Sequence, residues 1–279
     1  MIIIDSNYLC YVNRFALSQG LSYQGHSTEI IFGFLRHVLE LSKSYKTTNI
    51  VFCWDSRESL RRKIYPQYKM NRRENLTDEE KESNRQAYIQ FDTLKKSVLL
   101  DMGFKNVFHQ DGYESDDIIA SLVIGNSDKN ITVVSSDKDL YQLLDYCSLY
   151  NITKRETYTK SLFIREFGIR PFRWGTVKSI AGCQTDNVEG LTRVGEHTAI
   201  KYLKGEIKEG SKTYERIKFF DSSLTKKLVT LPFEGCENYQ KKLQKNNFSE
   251  KAFLNIFDKF GFKSFIDNFD EWESVFFND

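Results

Sequence analysis

Three apolar runs in this 279-residue chain are each followed closely by aspartate: Asp5 after Ile2–Ile4, Asp55 after Ile50–Trp54, and Asp137 with Asp139 after Ile131–Ser135. A fourth acidic group, Glu114, Asp116 and Asp117, comes shortly after the run 104–108. Like charges within about 4–6 Å raise one another's pKa, so seven carboxylates gathered in one place cannot all stay ionised at low cost. Divalent cations are the usual remedy, and an oxygen-rich site suits Mg²⁺ or Mn²⁺. Two such ions about 3.5–4 Å apart can clamp the attacking and leaving oxygens of an in-line phosphoryl displacement. Each acid also has a plainer reading. Asp5, Asp55 and Asp137 could be N-caps, and Asp116 and Asp117 could be favourable charges in a first helical turn. Taken singly the two readings are evenly matched; an acid at every strand end is poorly explained by capping alone.

The basic residues are unevenly spread. Net charge is +2, from 40 basic and 38 acidic residues, which points to no particular partner. Yet residues 57–73 hold Arg57, Arg61, Arg62, Lys63, Lys69, Arg72 and Arg73 against the single acid Glu58. Such a block suits phosphate contact, the alternative being a solvated helix face. The five cysteines are scattered and show no zinc spacing, and the four histidines form no recognisable catalytic pair. The N-terminus reads as a strand from its start, so no leader is expected, and no apolar run approaches the ~18 residues of a membrane span. The expectation is a cytoplasmic protein with no membrane association.

The acids need a frame. The runs 2–4, 50–54, 104–108 and 131–135 are strand candidates, rich in β-branched or aromatic residues. Between them, Ile31, Phe34, Leu35 and Val38 make one helical stripe, and Phe91, Leu94, Val98 and Met102 another, closed by Gly103. Ile118, Ile119, Leu122 and Val123 make a third. Alternating strands and helices predict an α/β fold with a mostly parallel sheet flanked by helices, whose site lies outside the carboxyl ends of the strands. Residues 56–90 are polar and charged, with one proline and no glycine, and read as a helical excursion. The expected division is an α/β domain over 1–160 and a helical lobe over 161–279, with residues 205–247 unassigned. The aromatic, acidic end (Phe265, Trp272, Phe276) is expected to pack as a last helix rather than to serve as a docking peptide.

Six segments together resemble the 5′–3′ exonuclease and flap endonuclease family, the structure-specific 5′-nucleases of phages, bacterial polymerases and eukaryotic replication. They are IIIDSN at 2–7, FCWDS at 52–56, YPQYKMNR at 65–72, GYESDD at 112–117, SSDKDL at 135–140 and GCQTDNVEGLTRVG at 182–195. Each is weak alone; their order and spacing over roughly residues 1–205 are specific, and a stand-alone phage-type enzyme is the nearest match. The resemblance implies a PIN-like fold with a helical arch at about 56–90 and a helix-three-turn-helix at about 175–204. It implies a first metal site of Asp5, Asp55, Glu114, Asp116 and Asp117, and a second using Asp137, Asp139 and Asp186. Lys69 and Arg72 would touch the scissile phosphate from one face of a helix. Arg61, Arg62, Lys63 and Arg73, together with Gly190, Arg193, Gly195 and Lys201, would contact DNA, with a K⁺ ion as a further expectation at the helix-three-turn-helix. Partners would be DNA with 5′ ends or flaps and unknown replication proteins, the chain itself being a monomer in a bacterial or phage-infected cell.

Two departures from the family pattern stand out. Cys183 occupies a position where the family has aspartate, and thiols are poor ligands for hard Mg²⁺. Arg193 stands where the turn usually has glycine, so either the tight turn is lost or a phosphate contact is gained. The first departure predicts a weakened second metal site and a preference for exonucleolytic trimming. It also keeps a rival reading in view, a DNA-binding member of the fold that no longer cuts. A PIN-like ribonuclease is a third reading, though it normally lacks the arch and the duplex-gripping lobe.

Overall fold

The computed structural model describes residues 1–16, 21–72, 77–127 and 129–277. Within it the chain packs as two compact units, each assembled from separated stretches: 1–54, 76–109 and 240–279 in one, and 55–75 with 110–239 in the other. These cut across the expected break near 160. The C-terminal segment packs with the N-terminal strand because its aromatic residues complete that unit's core.

In the first unit the strand Ile2–Asp5 pairs in parallel with Ile50–Trp54, which pairs in parallel with Val107–His109. The first two strands are buried along their whole length. Continuous apolar runs, rather than alternation, are what a sheet covered on both faces requires. The helix Glu29–Tyr45 supplies Ile31, Phe34, Leu35 and Val38 to the core, as its periodicity predicted. Phe34 lies 5.8 Å from Phe52 and 6.0 Å from Trp54, ring centre to ring centre. The expected strand 104–108 begins only at Val107. Phe104 is spent instead on an aromatic cluster with Phe52, Phe248 and Phe276. The Lys105 N–H goes to the Asn246 side chain at 2.9 Å. Phe265, Trp272 and Phe276 are buried, so the acidic end is a packed element; each such ring contributes roughly 1.5–3 kcal/mol of burial.

The long helix Asp78–Thr93 begins with a capping box between Thr77 and Glu80 and continues through a π-turn, Leu94–Val98, to Asp101. Gly103 follows at φ +99°, where an L-residue would be strained.

In the second unit Thr132–Val134 pairs in parallel with Ser148–Asn151, which pairs antiparallel with Glu156–Tyr158. The last two strands are only partly buried and polar, so their apolar signal was too weak to read. Helices follow at Ser115–Gly125, Lys160–Phe167, Trp174–Ala181, Glu196–Leu203, Lys212–Lys218 and Ser223–Val229. The unassigned stretch thus carries two short α-helices and a 3₁₀ turn at Tyr239–Lys242. Across the chain the architecture is a mostly parallel central sheet flanked by helices, as expected. No helix among the described residues is long and apolar enough to cross a membrane.

Candidate active site

The segment GYESDD opens the helix Ser115–Gly125, and its three acids take different places at that helix's start. Glu114 is the N-cap, Asp116 sits in the first turn, and Asp117 is fully buried. Asp55 reaches the same spot from another stretch of chain, its carboxylate accepting the Ser115 N–H at 2.8 Å. Burial, and next the charge of Glu114, hold the Asp55 carboxyl above its ordinary range. Glu114 goes the other way. Burial works to raise its pKa, but Lys69 and then Arg61 outweigh that and lower it.

Lys69 is the cation of this group. Its Nζ donates to Glu114 at 2.8 Å and lies 3.8 Å from an Asp186 oxygen. The expected helical face shared with Arg72 is not what presents it. Lys69 has φ +54°, outside any helix, and is pinned there by its own N–H donating to the Asp186 carbonyl at 2.8 Å. Arg62 reinforces the bend by donating to the carbonyls of Tyr68 and Lys69 at 3.0 and 3.3 Å. Arg72 ends the short 3₁₀ turn Met70–Arg72; its side chain, and Arg73 altogether, lie outside the described residues. Tyr68, which the sequence reading passed over, is buried with its hydroxyl 2.9 Å from Glu114 and 3.2 Å from Asp186. A tyrosine next to the singled-out lysine was the only available signal for it.

Two of the expected site residues are buried and paired with each other. Arg61, expected on DNA, is 2% exposed, and Asp117, expected on a metal, is 0% exposed. The two form a bidentate pair, both bonds 2.7 Å. Asp117 also accepts the backbone N–H groups of Glu114 (3.1 Å) and Phe233 (2.8 Å), while Arg61 Nε donates to the Leu228 carbonyl at 2.8 Å. With its oxygens so engaged, Asp117 is the anchor that fixes the helix start under Glu114. The spacing of basic residues could not distinguish this buried fork from its exposed neighbour Lys63.

A second group forms around Asp139, Cys183 and Asp186, whose ligand atoms all lie within 4.8 Å of one another. Asp137 caps the turn before it, accepting the Asp139 N–H at 2.7 Å, so its capping reading holds in the geometry. The Cys183 thiol is 3.1 Å from the Thr185 hydroxyl and 3.8 Å from Asp139. Burial, then Asp139 and Asp186, push that thiol's pKa up, away from the thiolate that binds metals. The sequence reading missed Lys178, which lies 3.1 Å from Asp139 and 3.1 Å from Glu196. Burial disfavours its charge, but Asp139, Cys183 and Glu196 more than compensate and raise its pKa. The signal was present: Lys178 is the lone charge on the helix Trp174–Ala181, one turn after the buried Trp174.

The donor chemistry separates the two groups. Asp55 and Glu114, with Asp116 beside them in sequence, offer only carboxylate oxygens, a set that fits a hard dication. The second sets a protonated thiol between the Asp139 and Asp186 carboxylates, and its Asp139 is held by a buried ammonium group that bridges to Glu196, a poorer set for a hard dication.

The turn after the second group keeps its shape despite Arg193. That residue adopts φ +64°, and the Val194 N–H closes onto the Leu191 carbonyl at 2.9 Å. The turn is therefore retained, with its arginine side chain exposed. Gly190 is required by packing: a Cβ there would meet Ala181 backbone at 2.2 Å. Gly195 N-caps the helix Glu196–Leu203, on which Lys201 is exposed. Asp5, in the first unit, closes its strand opposite Cys53 and accepts the Tyr8 N–H at 3.2 Å.

Comparisons with known proteins agree with this architecture. The family model for the 5′-3′ exonuclease N-terminal resolvase-like domain matches residues 1–168. A 5′-3′ exonuclease of Aquifex aeolicus is 32% identical over 244 residues, covering 83% of this chain and 81% of the relative. One from Buchnera aphidicola is 28% identical over 260 residues, covering 91% and 83%. Among solved structures, bacteriophage T5 5′-exonuclease with bound zinc superposes with a TM-score of 0.71 at 21% identity, covering 93% of this chain and 96% of that one. The T5 flap endonuclease in a pseudo-enzyme–product complex with DNA and metal ions gives 0.69, also at 21% identity, with 93% and 95% covered. At that identity the structures speak for the fold, while the sequence matches speak for descent: this chain belongs to the 5′–3′ exonuclease family.

Proposed function

We infer that this 5′-nuclease hydrolyses DNA phosphodiesters from 5′ ends or flaps with a divalent ion, Mg²⁺ or Mn²⁺, held at the first acidic group, leaving a 5′-phosphate and a 3′-hydroxyl. The observation that carries this reading is the convergence of Asp55, Glu114 and Lys69. Two carboxylates, one with a raised and one with a lowered pKa, face a partly exposed ammonium group. Asp55, Glu114 and Asp116 would hold the ion. Bound there, the ion would activate water and neutralise charge developing on the phosphate.

The chain's own residues supply the remainder. Lys69, on a bend rather than a helix, would exchange its bond to Glu114 for one to a phosphate oxygen, a switch that costs one charge-assisted bond and gains another. Tyr68 keeps Glu114 and Asp186 oriented while that happens. Asp117 and Arg61, fully paired, keep the helix start rigid so that Glu114 and Asp116 are preorganised. The retained turn at Gly190–Gly195, opening into a helix with Lys201, suits a duplex phosphate held at a helix N-terminus. The Asp137, Asp139 and Asp186 group takes no catalytic step in this scheme.

A 5′-labelled duplex with a 5′ overhang, incubated with Mg²⁺, with Mn²⁺ or with EDTA, tests the reading. Metal-dependent release of short 5′ products is expected. Binding without cleavage under either metal would favour a DNA-binding member, and preferential cutting of single-stranded RNA would favour a ribonuclease. The preference for trimming over flap cutting is carried by Cys183. Cys183→Asp is expected to shift the flap-to-exonuclease ratio by several-fold and to alter the Mg²⁺ dependence; an unchanged ratio and unchanged dependence would remove cysteine from the account.

A further inference from the structure

Lys178 is the most heavily engaged lysine of the second acidic group. It is 7% exposed, and its Nζ sits 3.1 Å from Asp139 Oδ1, 3.1 Å from Glu196 Oε1 and 4.0 Å from Cys183 Sγ. The other Asp139 oxygen is the one facing Cys183, at 3.8 Å. Both sides of the aspartate that would anchor an ion are thus turned toward protein partners. We propose that Lys178 is a built-in counter-cation of this group, standing in for a second divalent ion and tying the group to the start of the helix Glu196–Leu203.

The argument rests on charge and geometry. An ammonium group is a compact point charge with three donors, able to bridge two carboxylates at once. A dication placed among Asp139, Cys183 and Asp186 would sit within a few ångströms of that charge and would have to displace it. Displacement is hindered because Lys178 projects from a helix whose neighbouring residues Trp174, Val177 and Ser179 are buried. Substitution of thiol for carboxylate and the presence of the lysine act in one direction. Each lowers the negative charge that a hard dication needs. Glu196 gives the arrangement a second consequence. It is the first residue of the helix that follows the Gly190–Gly195 turn, so Lys178 fixes the turn's exit relative to Asp139.

The inference deepens the proposed function, since it presumes that the first group binds the working ion. Mn²⁺ titrated into the full chain without DNA, followed by calorimetry and electron paramagnetic resonance, tests it. The wild-type chain is expected to bind one Mn²⁺, with any second ion at least about 100-fold weaker and no exchange-coupled signal. Lys178→Met should admit a second Mn²⁺ within about tenfold of the first and show coupling, whereas Lys178→Arg should still bind one. Should circular dichroism show the methionine variant unfolded, Lys178→Gln, which retains a donor for Asp139, is titrated in its place. Two ions of similar affinity on the wild-type chain would overturn the proposal while leaving the nuclease reading intact. So would a folded Lys178→Met or Lys178→Gln chain that still takes a single ion. A wild-type chain that binds no Mn²⁺ would instead sink the first-group reading, and this inference with it.

Discussion

The two acidic groups of the second unit share a plan and differ in one respect. Each sets carboxylates around a lysine, Lys69 at Glu114 and Lys178 at Asp139. Lys69 hangs from a bend held at φ +54°, lies 2.8 Å from Glu114 and 3.8 Å from Asp186, and has a side chain 17% exposed. Lys178 hangs from a helix, is clasped between two carboxylates at the same 3.1 Å, and has a side chain 9% exposed. A lysine on a bend can trade its partner for a ligand; a lysine locked in a helix and paired twice behaves as part of the scaffold. On the proposed reading, the same residue type would serve as a working group in one place and as a fixed charge in the other.

The largest effect that could break this comparison lies beneath the first group. Arg61→Met would leave Asp117 buried without its cation, and removing one partner of such a pair costs roughly 3–5 kcal/mol. Urea unfolding of the metal-free chain should show it as a lowered midpoint. A change below about 1 kcal/mol would mean that the fork is not what holds Glu114 in place. Next in size, Lys69→Met should lower cleavage by about 10²–10³-fold with DNA affinity nearly unchanged, and Lys69→Arg should recover part of the rate. If affinity falls and the single-turnover rate does not, Lys69 is only a surface base.

The smallest effect separates burial from metal binding. Asp55 has its pKa raised by burial and by Glu114. A carboxyl raised on folding favours the folded state while protonated, below its unfolded pKa, and that contribution is lost as pH rises through the folded value. At neutral pH its charge therefore weighs against the metal-free fold. Asp55→Asn, which can still accept the Ser115 N–H, is expected to raise the Tm in EDTA at pH 7 by on the order of 2 °C. The gain should shrink as pH falls, and saturating Mg²⁺ should stabilise the wild type more than the variant. A variant less stable than wild type in EDTA at pH 7 would show that Asp55 is held by favourable contacts and not strained by its neighbours.

The fold was legible where burial is continuous. Ile2–Asp5 and Ile50–Trp54 lie in a covered sheet, and such strands announce themselves as unbroken apolar runs. The strands Ser148–Asn151 and Glu156–Tyr158 were not legible, because half-buried polar strands take their stability from neighbours that a local window does not contain. The early start expected for the strand at Val107 failed for a related reason, since Phe104 was claimed by rings more than 140 residues away in sequence.

At the site, the sequence by itself singled out the side chains that are candidates for the chemistry. Acids placed just after strands, a basic stretch at 57–73 and the ordered family motifs were enough to name Asp55, Glu114, Lys69 and Asp186. Tertiary structure alone decided how each is employed. Burial turned Arg61 and Asp117 from expected ligand-binding groups into a paired anchor, and a backbone bend, not a helix, aimed Lys69. It also brought Lys178 and Glu196 to Asp139. The physical reason is that charge type is a local property of the sequence, whereas the desolvation and pairing that fix a charge's role depend on neighbours brought together only by folding.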